Sequence, residues 1–222
     1  MTIMSGAETM LGSIFQTARR RAQAVLPVAM AGFAIAACAA VIFAACAAVT
    51  IATSSSARAE SPATYMQRVS NELIAAQRAG SVSAFSNVLR KHMAVPSIGL
   101  TALGPHASTL PKTERPAYYN GMINFIAKYS AKEAPKYPVA SAVVTGQGEE
   151  TAGGATVDST IKLRSGESYD IRWKLVRAGQ SFKVRDAQVV GFWMSSFLDN
   201  LFQNYISENG NNPRALVMAL SR

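Results

Sequence analysis

The sequence has few of the residues that carry most catalytic and metal chemistry. Among its 222 residues there are two cysteines and two histidines. Both cysteines, Cys38 and Cys46, lie within one apolar segment near the N-terminus, so the rest of the chain has none. This distribution excludes a disulfide scaffold, thiol catalysis and cysteine-ligated metal from residues 60–222. That part of the chain is long enough to bury a stable core without cross-links.

Common motifs of catalysis and cofactor binding are also missing. His92 and His106 are predicted at a helix end and in a loop, without His, Asp or Glu neighbours at metal-ligand spacing. The Gly-Gln-Gly sequence at 146–148 lacks the spacing and the following helix of a dinucleotide-binding loop. No G-x-S-x-G sequence occurs. We therefore expect no metal, no cofactor and no catalytic residue of these types.

Asp186 leaves an enzymatic alternative open. It is predicted as the one polar residue on the strand face that holds Phe182 and Val184. An Asp beside a Tyr in an apolar interior can act as a general base on a small apolar substrate. In the structural alternative, Asp186 accepts hydrogen bonds from backbone or an arginine where the sheet meets the last helices. We favour the structural role, so the protein is predicted not to be an enzyme.

The chain is basic, with 22 Lys and Arg against 13 Asp and Glu. Residues 60–222 keep 18 basic and 12 acidic residues, a net charge of +6. A solvated basic surface is one explanation. The other is attraction to anionic lipid head groups, worth about 1 kcal/mol per basic residue near the surface. Nucleic acid is not expected as a partner, because the basic residues lie on strands without interleaved exposed aromatics.

Residues 1–59 have the order of regions found in an export signal. Three arginines at 19–21 precede an apolar run over 22–52, and Ala57-Arg58-Ala59 follows a run of serines. The apolar run is long for a signal core of about 7–15 residues. We favour a signal peptide cleaved after Ala59, which directs the protein to the periplasm. An uncleaved membrane anchor and a lipoprotein cut before Cys38 are the alternatives.

Periodicity beyond residue 60 predicts three helices, four strands and two helices. Apolar residues at helical spacing predict helices over 63–80, 81–93, 116–134, 192–206 and after Pro213, with an irregular segment over 96–111. Period-2 alternation predicts strands over 139–147, 155–164, 168–175 and 181–190. This order indicates an α+β domain, with a four-stranded, mostly antiparallel sheet packed against about five helices.

One set of residues recurs in a characteristic order and spacing over the second half of the chain: Trp173, Val184, Asp186, Gly191, Phe202, Ile206, Gly210 and Leu216. In these positions the chain resembles the MlaC family of periplasmic lipid carriers, also known as toluene-tolerance auxiliary proteins. Two upstream segments, 93–104 and 114–132, also resemble the family. It implies an MlaC-like lipid-binding domain over 60–222, folded as an NTF2-like cone, a curved sheet around an apolar cavity.

By the same resemblance, the protein would shuttle phospholipid between an inner-membrane ABC transporter complex and an outer-membrane lipoprotein/porin complex. A carrier of another two-chain lipid such as a hopanoid, and an NTF2-like enzyme, are the alternatives. A filled core explains the inward apolar residues equally well. Under the carrier hypothesis the predicted pocket wall is Met122, Phe125, Tyr129, Val157, Ile161, Leu163, Ile171, Trp173, Leu175, Phe197, Leu201 and Phe202.

Overall fold

The computed structural model describes residues 60–222. The predictions for residues 1–59, whether signal peptide, anchor or lipoprotein segment, lie outside the described residues. Between residues 60 and 222 no helix combines the length and the hydropathy that a membrane span requires.

Four helices form the first part of the described chain. They are α1 (Pro62–Ala79), α2 (Val82–His92), α3 (Val95–Leu103) and α4 (Arg115–Glu133). Serine side chains start the first two helices, because Ser61 accepts from the Thr64 amide and Ser81 from the Ala84 amide. Helix α3 corrects the prediction of an irregular segment over 96–111. Pro96 lies in the first turn of this helix. A backbone N–H at that position has no hydrogen-bond partner within the helix, and the fixed φ of proline is already helical.

The sheet has five antiparallel strands in the order of the chain. They are β1 (Val139–Thr151), β2 (Gly154–Leu163), β3 (Ser168–Ala178), β4 (Ser181–Val189) and β5 (Phe192–Trp193). The prediction of four strands was therefore wrong by one. Strand β5 folds back on β4 through Val190 and Gly191, which have φ of 52° and 88°. A strand of two residues is too short to show the period-2 alternation by which strands are predicted from the sequence.

Two helices follow the sheet. Helix α5 (Met194–Glu208) begins directly after β5, and α6 (Pro213–Leu220) begins at a proline. Asn212 caps α6, since its side chain accepts from the Arg214 amide at 3.0 Å. A last helix at Pro213 was predicted from the sequence and is confirmed. Residues 60–222 thus form an α+β domain with six α-helices and an open antiparallel sheet.

Two fully packed apolar clusters hold these elements together. In the first, called the helix core, α3, α4, α5 and α6 meet around Leu103, Tyr118, Met122, Phe202, Ile206 and Leu216, each 0% exposed. In the second, called the sheet core, α1 packs on the sheet through Tyr65, Met66, Val69, Val157, Leu175, Phe182 and Val184. Both clusters border the space described next, because Phe125 packs with the helix core and Val184 belongs to the sheet core.

Candidate functional site

An apolar cleft lies between the inner face of the sheet and helices α1, α2, α4 and α5. Its volume is about 490 Å³, which is within the range of about 300–1,000 Å³ typical of ligand pockets. Many of the residues that line it are half-buried, among them Leu73, Ile74, Leu89, Ile126 and Phe197. The residues that define the helix core, by contrast, are completely buried. The cleft is therefore a space whose apolar walls are only partly covered by neighbouring side chains.

Strands β2 and β3 supply the floor of the cleft. Ile161 lines it from β2, while Ile171 and Trp173 line it from β3. Every second residue of β3 faces inward, which is why Ile171 and Trp173 share this face. The Trp173 indole Nε1 donates to Ser159 Oγ at 2.8 Å. Because the polar edge of the indole is satisfied within the sheet, Trp173 can offer apolar surface to the cleft.

Half of the twelve predicted wall residues line the cleft. They are Phe125, Tyr129, Ile161, Ile171, Trp173 and Phe197. The other six belong to packed clusters. Met122, Leu201 and Phe202 lie in the cluster of the helix core, Val157 and Leu175 in the sheet core, and Leu163 packs with Tyr169. That any of the twelve binds lipid stays a prediction.

Helices α1 and α2 also contribute to the wall, which was not predicted from the sequence. Leu73 and Ile74 of α1 and Phe85 and Leu89 of α2 line the cleft. The helical spacing of apolar residues in these two helices was visible in the sequence. The missing information was which helix lies over which part of the sheet, because that depends on contacts between residues far apart in sequence.

A hydrogen-bonded glutamine closes one end of the cleft. Gln77, near the end of α1, donates through Nε2 to the carbonyls of Ala134 and Tyr137, at 3.1 and 2.9 Å. Its Oε1 accepts from the Val139 amide at 2.9 Å. One side chain thus joins the end of α1 to the segment that links α4 to β1.

A β-bulge in β4 changes the position of Asp186. Val184 pairs with Leu175 and Asp186 pairs with Lys174, so Arg185 has no opposite residue on β3. Beyond the bulge, Asp186 is opposite Lys174 and no longer follows the alternation of Phe182 and Val184, although it still borders the cleft beside Val184. Alternation in the sequence cannot reveal such an inserted residue.

The carboxylate of Asp186 is used in joining β4 to α5. Its Oδ1 accepts from the Ala187 and Ser195 amides at 2.9 and 3.0 Å. Its Oδ2 accepts from Ser195 Oγ at 2.6 Å. Asp186 therefore ties the sheet to the first turn of the helix, which is the structural role favoured by the sequence analysis.

The buried histidine lies in a separate polar network beside the sheet core. His92 Nε2 is 2.9 Å from Glu72 Oε2, and the Tyr65 hydroxyl is 3.1 Å from Nδ1. Burial lowers the pKa of His92, and it raises the pKa of Tyr65 to about 12. A neutral ring that donates to Glu72 and accepts from Tyr65 satisfies all three groups. None of the three residues lines the cleft. In residues 60–222 no cluster of His, Cys, Asp and Glu is suited to hold a metal.

Comparison with known proteins agrees with this architecture. A family model described as MlaC protein matches residues 63–222. Among solved structures, the fold is similar to a phospholipid-binding protein from Ralstonia solanacearum, solved in complex with a phospholipid. The two chains share 17% sequence identity and a TM-score of 0.59, covering 72% of this chain and 95% of the other. That identity supports a shared fold alone. No curated protein matches the chain. Because the family model covers well over half of the sequence, the chain belongs to the MlaC family.

Proposed function

We propose that the protein is a carrier that holds a phospholipid, with acyl chains in the cleft. The observation that carries this proposal is an apolar cleft of about 490 Å³ with half-buried walls. Each methylene left in water costs roughly 0.8 kcal/mol, so two chains of about sixteen carbons cost on the order of 20 kcal/mol. A carrier must therefore enclose the chains. Membership of the MlaC family and the phospholipid in the Ralstonia protein support the same proposal.

The finer fold prediction is part of the proposal. The sheet and helices would form an NTF2-like cone, and the cleft would be its interior. Acyl chains would contact Ile161, Ile171 and Trp173 on the sheet side and Phe125 and Phe197 on the helix side. The six predicted wall residues in packed clusters would support this surface from behind.

Transport would take place in the periplasm, after removal of residues 1–59 as a signal peptide. The carrier would exchange phospholipid between an inner-membrane ABC transporter complex and an outer-membrane lipoprotein/porin complex. The contacts of Glu60 suit a mature chain that begins there. Its carboxylate accepts from Arg68 at 3.1 and 2.8 Å and from Ser181 Oγ at 3.1 Å, which ties this residue to α1 and β4.

An enzymatic role has less support. The acid-base mechanism considered for Asp186 needs a carboxylate that is available to a substrate. The two oxygens of Asp186 already accept three hydrogen bonds from Ala187 and Ser195. A carrier needs no reactive group in the cleft.

Native mass spectrometry of the protein, produced from the full chain and purified from the periplasm of its own cells, tests this proposal. We expect a chain that begins at Glu60 and carries a co-purifying phospholipid. Extraction with organic solvent should release the lipid and leave the protein mass unchanged. A protein recovered without lipid would contradict the carrier function, and recovery of the intact N-terminus in washed membranes would contradict the signal peptide.

A further inference from the structure

Arg185 has an unusual place on the wall of the cleft. It is the extra residue of the bulge in β4, between Val184, which pairs with Leu175, and Asp186, which pairs with Lys174. The sequence predicts that its side chain points away from the interior with the other basic residues of the sheet. The bulge breaks that alternation, and Arg185 both lines the cleft and is exposed to solvent. Arg185 is therefore a wall residue at the solvent-exposed border of the cleft.

The charges around the cleft leave Arg185 available. The wall contains three charged residues, Glu133, Arg185 and Asp186. Glu133 pairs with Lys136 at 2.8 Å, and Asp186 accepts from Ser195 and Ala187. Within residues 60–222, Arg185 has neither a hydrogen bond nor an ion pair. It is thus a cation without a protein partner at the border between an apolar space and water.

This arrangement matches the shape and charge of one class of ligand. A guanidinium offers five N–H donors in a planar fork, which bind two oxygens of a phosphate group at once. A lipid with acyl chains in the cleft places its head group at the mouth. The first charged group above the chains of a phospholipid is the phosphodiester, and an exposed arginine on the wall of the cleft is suited to bind it.

We propose that Arg185 binds the phosphodiester of the lipid held in the cleft, and so gives the carrier its preference for phospholipid over a neutral lipid with the same chains. This inference rests on the proposed carrier function and adds the chemical group that is recognised. The cleft would bind the chains, and Arg185 would select the head group. The neighbouring Asp186 carboxylate is held by Ser195 and does not compete for the guanidinium.

Binding of two lipids with identical acyl chains tests the inference. The protein, produced from the full chain, is purified and delipidated, and its affinities for phosphatidylglycerol and diacylglycerol are measured by competition with a fluorescent lipid. We expect the wild type to prefer phosphatidylglycerol about tenfold, the effect of one charge-assisted hydrogen-bonded pair. Arg185→Gln should lose this preference and bind diacylglycerol as the wild type does. Arg185→Lys should keep part of it, because lysine retains the charge without the fork.

Arg78→Gln is the matched control. Arg78 is an exposed arginine at the end of α1 and does not line the cleft. It should keep the wild-type preference. Thermal unfolding should be the same for all variants, since Arg185 contacts no protein group that the change would leave unpaired.

Three results would overturn the inference. An equal preference in the wild type and in Arg185→Gln would mean that Arg185 does not recognise the phosphodiester, while the carrier function stands. Failure of the wild type to bind either lipid would remove the carrier function as well. Saturable binding of inorganic phosphate that is lost in Arg185→Gln, while the preference between the two lipids is unchanged, would assign the residue to free phosphate and not to lipid.

Discussion

The helix core and the cleft have walls of the same residue types but differ in how completely they are packed. Phe202 of α5 is 0% exposed, and its ring meets those of Tyr118 and Phe125 edge to face, at centroid distances of 6.2 and 5.9 Å. Phe197, five residues earlier on the same helix, is half-buried and lines the cleft. One helix thus serves both regions. Stability and ligand binding are therefore expected to depend on different faces of α5.

The largest expected effect is on stability in the helix core. Phe202→Ala removes a fully packed ring and should destabilise the protein by about 3–5 kcal/mol. Phe197→Ala removes a ring that already borders open space, so its cost in the lipid-free protein should be about 1 kcal/mol. Urea unfolding of both delipidated variants measures the difference. Equal losses of stability would mean that the cleft is packed as tightly as the core.

A smaller effect on the free energy of unfolding is expected when the pH is lowered, because of His92 beside the sheet core. Burial lowers the pKa of His92 below its usual value of 6.5, and the charges of Lys91 and Arg68 act in the same direction, although Glu72 opposes them. The unfolded chain therefore takes up a proton at a higher pH than the folded protein. Stability should be complete above about pH 6.5 and decline as the pH falls through the folded-state pKa.

His92→Gln is the control for this pH dependence. A glutamine can accept from Tyr65 and donate to Glu72 but does not titrate. Its unfolding free energy should change less than that of the wild type between about pH 7.5 and 5.5. The carboxylates with lowered pKa, Glu60, Glu72 and Asp158, lose their contribution only at lower pH. A flat wild-type curve in this range would contradict the assignment.

The smallest expected effect is on the rate of lipid exchange with anionic vesicles. Lys162 is exposed on β2, and Arg164 is exposed in the turn that follows this strand. Reversing both to Glu should slow exchange roughly threefold at low salt and leave bound lipid in place. The same reversals at Lys112 and Arg78, away from the sheet, change the net charge equally. An equal slowing in that control, or a loss of bound lipid from the folded sheet variant, would refute a docking role. Arg172 is less suitable because it pairs with Asp158 at 2.8 Å.

Much of the fold follows from local patterns in the sequence. Alternation in β2, β3 and β4 predicted their extents closely, and apolar residues at helical spacing predicted where α1, α2 and α6 begin. Features that break a local pattern were not predicted. The bulge at Arg185 inserts one residue, and β5 is too short to show a period. Pro96, in the first turn of α3, was interpreted as the start of an irregular segment.

The division between filled core and open cleft was also beyond the sequence. Met122 and Phe125 lie on the same stripe of α4, yet Met122 is completely enclosed and Phe125 lines the cleft. Both are large and apolar, so their type carries no information about packing. Their difference comes from the neighbours that α2, α3, α5 and α6 place around them, which are distant in sequence.

The most direct test of the carrier account compares two substitutions on one strand. Ile161 and Leu163 are two residues apart on β2, so their side chains are on the same face of the sheet. Ile161 lines the cleft, while Leu163 is buried against Tyr169. The sequence analysis placed both on the pocket wall. The measurement is the amount of co-purifying phospholipid per protein, together with urea unfolding of the delipidated variants.

The account predicts opposite responses. Ile161→Trp should place its indole in the cleft, keep nearly the wild-type stability and lose most of the co-purifying lipid. Leu163→Trp should overpack a filled site, lose about 1–3 kcal/mol of stability and keep lipid in the protein that remains folded. If Ile161→Trp is destabilised as much as Leu163→Trp and its lipid content is unchanged, acyl chains do not occupy the cleft and the account is wrong.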